Sequence, residues 1–222
     1  MKGKLIVIES GDGCGKETQS EMLYKRLLGE GCNVKKVSFP NYKSSSAALI
    51  NMYLSGEFGG EPGAVNPYVA STFYTVDRFA SYKKDWENFY LSGGIILADR
   101  YTTANMVHQA AKISDEREKK RYLDWLLDFE FKIFRLPVPD QVIFLDMPPE
   151  YSRRLIIDRV NKSGKKDIHE QNYDYMIKTY YNACSIAEQY HWRIIKSVAD
   201  GELKNIEEIH EEIYQIVRDI VG

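Results

Sequence analysis

Five short runs rich in apolar residues are spaced along the chain, and between them apolar residues recur at every third or fourth position. Leu5 to Ile8 and Ile95 to Ala98 are apolar without a break, which predicts strands covered on both faces. Residues 34–39, 141–146 and 192–198 predict three more strands, the first ended by Pro40. The helical pattern covers 17–28, with Met22, Leu23, Leu27 and Leu28 on its apolar face and Gly29 or Gly31 as a stop. Ser44 to Ser46 predict a cap for a short helix through Ala47, Ile50 and Leu54. Residues 56–67 hold four glycines and two prolines and predict a mobile loop, after which Pro67 opens a long helix to about Leu91.

Further helices are predicted over 102–111 and 115–134, the second with Leu123, Leu126, Leu127 and Phe131 inward. Another starts at Pro148-Pro149, one covers 171–189, and an amphipathic helix over 206–221 closes the chain with Ile206, Ile209, Ile213, Ile216, Val217 and Ile220 on one side. Strands alternating with helices imply a three-layer α/β fold of about five parallel strands flanked by helices. No repeat or shift in composition divides the 222 residues, so residues 1–222 are expected to form one domain.

Composition adds mainly exclusions. The chain is 44% hydrophobic and 28% charged with a net charge of −2, so no bulk attraction to a nucleic acid polymer or a membrane is expected. An acidic ligand must then be held by a local cluster of cations. The start, Met1 to Lys4, runs directly into the first strand, no apolar stretch suits a membrane span, and Cys14, Cys32 and Cys184 form neither a disulfide framework nor a metal pattern. A reducing, cytoplasmic setting is the expectation.

The chemistry begins where the first strand ends. Ser10, Gly11, Asp12, Gly13, Cys14 and Gly15 lead into Lys16, Glu17 and Thr18 at the head of a helix. A glycine-rich turn lets backbone N–H groups approach phosphate oxygens, the helix N-terminus adds positive potential, and a lysine supplies a full charge. The spacing is that of a P-loop with two substitutions. Ser10 stands at the first glycine position, and Glu17 follows the lysine where Ser or Thr is usual, with Thr18 one residue late. Cys14 at a helix start reads either as a reactive thiol or, more simply, as a small residue filling the loop.

Three further clusters follow. Tyr74 and Arg78, four residues apart on a helix, can stack a planar base and bond its edge; the plainer alternative is a core tyrosine and a surface ion pair. Asp99, Arg100 and Tyr101 sit at the carboxyl end of a strand, where α/β sheets bind ligands, with Asn105, His108 and Gln109 on the next helix. For Asp99 and Asp146, metal binding and helix capping stand as alternatives. The stretch from Arg153 to Lys166 is basic and ends in a polar loop. Together these clusters describe phosphoryl transfer between two phosphorylated ligands, a reaction that depends on positioning and charge neutralisation.

With these residues in place the chain resembles the thymidylate kinase family of P-loop nucleoside monophosphate kinases. The resemblance rests on ESGDGCGKETQ at 9–19, FPNY at 39–42, YTVDR at 74–78, ADRYTTANMVHQ at 98–109, LDMPPE at 145–150 and VADG at 198–201. It implies conversion of dTMP to dTDP with ATP and Mg²⁺, and a homodimer formed through the long helices. It also implies that the loop around Lys16 binds ATP, with Thr18 as the hydroxyl candidate toward the metal beside Asp99. Asp12 would lie near the acceptor phosphate and the 3′-hydroxyl, and Tyr42 near the phosphate. Tyr74 would stack on thymine and Arg78 would bond the base carbonyl. Arg100 would take the acceptor phosphate and the transferred group, and Asn105 and Gln109 the base edge. His108 stands where a tyrosine commonly guards the sugar. Gly13 leaves the loop without an arginine, so the catalytic cation is expected from a mobile lid at about 159–170, from Arg159, Lys165 or Lys166. Two other classes stay open: a related P-loop kinase with altered nucleotide or deoxynucleoside specificity, and a non-catalytic nucleotide-binding regulator.

Overall fold

The computed structural model describes residues 2–163 and 172–221 and, within 158–163, the backbone alone. Five strands, β1 (Lys4–Glu9), β2 (Val34–Ser38), β3 (Ile95–Asp99), β4 (Gln141–Asp146) and β5 (Arg193–Lys196), form one parallel sheet in the order β2-β3-β1-β4-β5. The expected three-layer α/β architecture is therefore what the chain adopts.

The apolar run of β1 explains why the sheet needs cover on both faces. Leu5 and Val7 enter one core with Ile96, Ala98, Tyr101, Met106, Tyr122 and Leu126. Ile6 and Ile8, one residue out of phase, enter a second core with Leu97, Ile143, Leu145, Leu23, Leu27, Ile213 and Val217. Helix α1 (Lys16–Gly29) and the last helix, Ile206–Val221, supply the second cover. On the closing helix Ile209, Ile213 and Val217 are buried as expected, whereas Ile206 at its first turn is exposed.

Between β2 and β3 lie α2 (Ala48–Leu54) and α3 (Pro67–Ser81), continued by a wider π turn, Tyr82–Trp86, into α4 (Glu87–Leu91). The expected single helix over 67–91 is thus present with one widened turn. Ser44 caps a 3-10 turn just before α2, its side chain accepting from Ser46 N. After β3 come α5 (Thr102–His108), a 3-10 turn Ala110–Lys112, and α6 (Glu116–Leu127), which runs into a second π turn, Asp128–Ile133. That turn corrects the predicted inward face: Leu127 and Phe131 are only half-buried, and Glu130 is fully buried.

Helix α7 (Pro149–Ser163) and α8 (Tyr173–Gln189) follow β4, and Asn172 caps α8 by accepting from Tyr175 N at 2.9 Å. The fifth strand is shorter than predicted. Val198–Ala199 leaves the sheet and pairs antiparallel with Glu202–Leu203, because Asp200 and Gly201 both take positive φ (52° and 81°) in a tight two-residue turn. The expected lid at 159–170 lies for the most part outside the described residues, Lys165 and Lys166 wholly and Arg159 in its side chain. No helix among the described residues is long and apolar enough to cross a membrane.

Candidate active site

Register brings the carboxyl ends of three strands level. Ile8 and Ser38 both pair with Asp99, Arg100 N donates to Ile8 O at 3.1 Å, and Phe39 N donates to Asp99 O at 3.0 Å. The loop after β1, the Phe39-Pro40 turn and Arg100 therefore meet at one edge, where ligands of parallel sheets bind.

In the loop, Gly13 and Gly15 have φ of 73° and 78°. Gly15 is the residue before α1 and offers no side-chain cap, so the first N–H groups of α1 have no side-chain acceptor there. Lys16 is 92% buried by its 8% exposure and lies back over the loop, its Nζ donating to Gly11 O at 2.6 Å. Burial, reinforced by the positive charge of Arg100, pushes its pKa down. Cys14 is buried with its Sγ 3.5 Å from Asp12 O, and burial pushes its thiol pKa up, so it fills the loop and is no activated nucleophile. Ser10 donates its hydroxyl to Gly11 O at 2.9 Å. Glu17 and Thr18 are exposed in the first turn of α1, where a carboxylate suits the helix dipole.

Arg100 is the hub. Its φ is 66°, an uncommon backbone state for a residue with a side chain. Its Nη2 bonds Asp12 Oδ1 at 2.5 Å, and its Nη1 reaches Glu9 Oε1 at 3.0 Å, Ser10 O at 3.3 Å and His108 Nε2 at 2.9 Å. An arginine only donates, so His108 Nε2 accepts and the ring is neutral in this arrangement. Burial opposes the charge on Arg100, but Asp12 and Glu9 outweigh it and hold its pKa above the usual value. Glu9 is fully buried and accepts from Ser10 N (2.9 Å), Arg100 and Thr103 Oγ1 (2.7 Å). Burial raises its pKa against the pull of these partners.

All eight residues expected to hold the acceptor, Asp12, Tyr42, Tyr74, Arg78, Arg100, Asn105, His108 and Gln109, line one cavity beside the loop. Asn105 and Gln109 share a face as their spacing predicts. Asn105 Nδ2 donates to Ser71 O at 3.4 Å, while Gln109 Oε1 is buried with no hydrogen-bond partner among the described residues. The plainer reading of Arg78 as a surface ion pair is corrected: it is 1% exposed, paired with Glu130 through Nε and Nη2. A second cavity shares Asp12 and His108 and runs between the loop, α7 and α8.

Asp99 does not cap α5, whose N-terminus has no side-chain cap, and Asp146 accepts from Tyr180 Oη at 2.9 Å. Among the described residues no three His, Cys, Asp or Glu side chains cluster as a metal cage. Magnesium seldom needs one, since it keeps waters and takes phosphate oxygens with one or two protein ligands.

Three residues of the site had no role in the sequence reading: Glu9, Glu130 and Asp77. Asp77 holds the Phe39–Ser46 turn by accepting from Asn41 N (2.8 Å) and Ser46 Oγ (2.6 Å). Each carries the same signal, a carboxylate at a position where the apolar pattern points inward, and such a group is buried only beside donors.

A phosphate loop beside a cavity ringed with arginine, amides and an aromatic ring defines a P-loop enzyme that handles two nucleotides. The thymidylate kinase family model matches residues 8–213. The chain is 26% identical to a probable thymidylate kinase of Thermococcus onnurineus over 215 residues, 96% of each chain. It is 23% identical to the thymidylate kinase of Plasmodium falciparum, covering 99% of this chain and 91% of that one. The solved thymidylate kinase of Candida albicans shares the fold, with a TM-score of 0.72 at 21% identity over 99% of this chain and 92% of the other. The chain belongs to the thymidylate kinase family, and it is a nucleoside monophosphate kinase that phosphorylates dTMP. The comparisons do not favour the other two classes.

Proposed function

We propose that the protein moves the γ-phosphoryl group of ATP to the phosphate of dTMP, with the loop at 10–18 holding the donor and the cavity beside it holding the acceptor. The observation that carries this reading is the convergence of all eight acceptor residues on one cavity that Asp12 shares with the loop. Lys16 exchanges Gly11 O for donor phosphate oxygens, and the loop N–H groups and the start of α1 take the others. Tyr74 stacks the base, Arg78, Asn105 and Gln109 bond its edge, and Asp12, Tyr42 and Arg100 hold the sugar and acceptor phosphate. His108 keeps Arg100 oriented through their 2.9 Å contact. An oxygen of the acceptor phosphate attacks the γ-phosphorus, the bond to the bridging oxygen of ADP breaks, and Arg100 faces the charge that spreads over the transferred group.

Thr18 and Asp99 offer hard oxygen ligands of the kind Mg²⁺ prefers, and the ion would neutralise charge on the donor phosphates. Two copies pair through the outer face of α3. The three unpaired cysteines suit a reducing, cytoplasmic compartment. A coupled ADP-release assay on dTMP, dUMP, dCMP, dGMP, UMP and thymidine tests the reading. Turnover of dTMP well above the rest is expected; preference for another acceptor, or ATP binding without transfer, overturns it.

A further inference from the structure

Arg78 is nearly inaccessible yet faces the acceptor cavity, and the reason lies in how its five N–H groups are used. Nε donates to Glu130 Oε2 at 2.9 Å, Nη2 donates to Glu130 Oε1, and Nη1 donates to Tyr101 O at 3.3 Å. One N–H on each terminal nitrogen remains. Glu130 is itself fixed from two further elements. Thr102 Oγ1 at the start of α5 donates to Oε2 at 2.6 Å, and Thr75 Oγ1 of α3, 3.0 Å from Oε1, shares its one hydroxyl proton between Oε1 and Ser71 O at 2.9 Å. Its carboxylate thus accepts two hydrogen bonds from Arg78, one from Thr102 and a shared one from Thr75, with no exposure to solvent.

Stability alone is a poor reason for this arrangement, because a buried ion pair is often no better than the apolar side chains that would replace it. Its position on the Asp128–Ile133 π turn points elsewhere, since such turns recur where a helix must aim one side chain for function. A guanidinium clamped on its inner edge cannot rotate, so its two remaining N–H groups form a donor edge of fixed direction. We propose that Glu130 is a positioning residue for acceptor-base selection: clamped by Thr75 and Thr102, it fixes Arg78 as a rigid donor edge that takes a carbonyl-bearing base and rejects an amino-bearing one. This rests on the reading of the cavity as the acceptor-base site. An amino group at that edge sets donor against donor in a buried place, leaving both unpaired.

The test measures kcat and KM for dTMP, dUMP and dCMP, and KM for ATP, in the parent and in Glu130→Gln. The amide keeps the volume but brings an NH₂ group to where Arg78 and the threonines need an acceptor. KM for dTMP should rise about tenfold or more, and the dTMP-to-dCMP ratio of kcat/KM should fall by a similar factor. The dTMP-to-dUMP ratio should hold, because uracil presents the same carbonyl, and KM for ATP should not move. An unchanged dTMP-to-dCMP ratio, or an equal loss on all three acceptors, overturns the proposal. Should Glu130→Gln fail to fold, Thr102→Val removes one clamp with an apolar isostere, and a few-fold shift in the same ratio is expected; no shift overturns the proposal. Arg78→Met separates the two levels. If it leaves the ratio intact, the base-site reading fails and the proposal with it. If it collapses the ratio while the Glu130 and Thr102 variants do not, only the positioning role falls.

Discussion

Glycine 13 is held by two constraints at once. Its φ of 73° disfavours any side chain, and a Cβ there would lie 2.4 Å from Ile156 Cγ1 and 3.1 Å from Ser152 O of α7. In the sequence this glycine reads as part of the phosphate-binding turn and as a missing arginine; in the fold it is also where α7 packs against the phosphate loop. Gly13→Ala is expected to destabilise the protein by about 1–3 kcal/mol, through backbone strain and overpacking, as read by urea denaturation. A variant as stable as the parent would mean that α7 gives way. Lys16 poses the opposite case, a residue whose loss the fold tolerates. Its one hydrogen bond among the described residues is to Gly11 O, so Lys16→Ala should keep the parent melting temperature while kcat falls at least about 100-fold. Turnover near the parent level would remove Lys16 from the donor site. Lys16 and Arg100 are legible because motif spacing marks them. Glu9 and Glu130 are not, because a buried carboxylate is defined by donors remote in sequence, Arg100 for the first and Arg78 for the second.

Helices were legible as long patterns and not in their irregular turns, and the aromatic spacing in the α3–α4 helix shows why. Tyr82, Trp86 and Tyr90 are all buried, with ring centroids 4.7 Å and 6.1 Å apart along the row. A four-residue step overshoots an α-turn by about 40°, and the wider Tyr82–Trp86 turn takes up that drift. The hairpin at 198–203 had a readable cue in Asp200-Gly201, since that pair suits a two-residue turn, but the neighbouring strand pattern masked it. At the end of α5 the 3-10 turn carries Lys112, whose Nζ donates to Tyr53 Oη at 2.8 Å and to Val65 O at 3.3 Å, tying α5 to α2 and the glycine-rich loop. Burial pushes its pKa from 10.5 down to about 7. Between those values the unfolded chain binds a proton that the folded chain has released, so stability rises with pH through this window, and the penalty is complete below pH 7. Lys112→Met removes both the bonds, at every pH, and the penalty, only where the lysine would be charged. The stability difference between variant and parent should therefore move in the variant's favour by about 1–3 kcal/mol as pH falls from 9 to 6. A difference independent of pH would show that Lys112 keeps an ordinary pKa.

At the scale of the whole molecule, strand number, the parallel sheet and its two helical covers all follow from apolar runs alternating with helical periods. Assembly does not, because an outward apolar residue looks in sequence like any other member of a helix. Helix α3 turns Ala70, Ser71, Thr75 and Arg78 inward, yet Val69, Val76 and Phe79 on its other side are 48%, 49% and 36% exposed. Phe79 packs edge-on against Phe134, and Ile133 beside it is 65% exposed, so the apolar surface continues onto the end of the α6 segment. A two-fold pairing needs only one such face, since the same patch serves both partners. The expected species in sedimentation equilibrium has twice the chain mass. Val76→Glu places a charge at the centre of the stripe, where a monomer would tolerate it at little cost because the position is half-exposed. The variant should melt cooperatively and sediment as a monomer. Since the opposite side of the same helix carries Tyr74 and Arg78, loss of the partner should also raise KM for dTMP more than KM for ATP. A parent chain that sediments as a monomer, or a Val76→Glu variant that stays dimeric, would place the contact elsewhere or remove it.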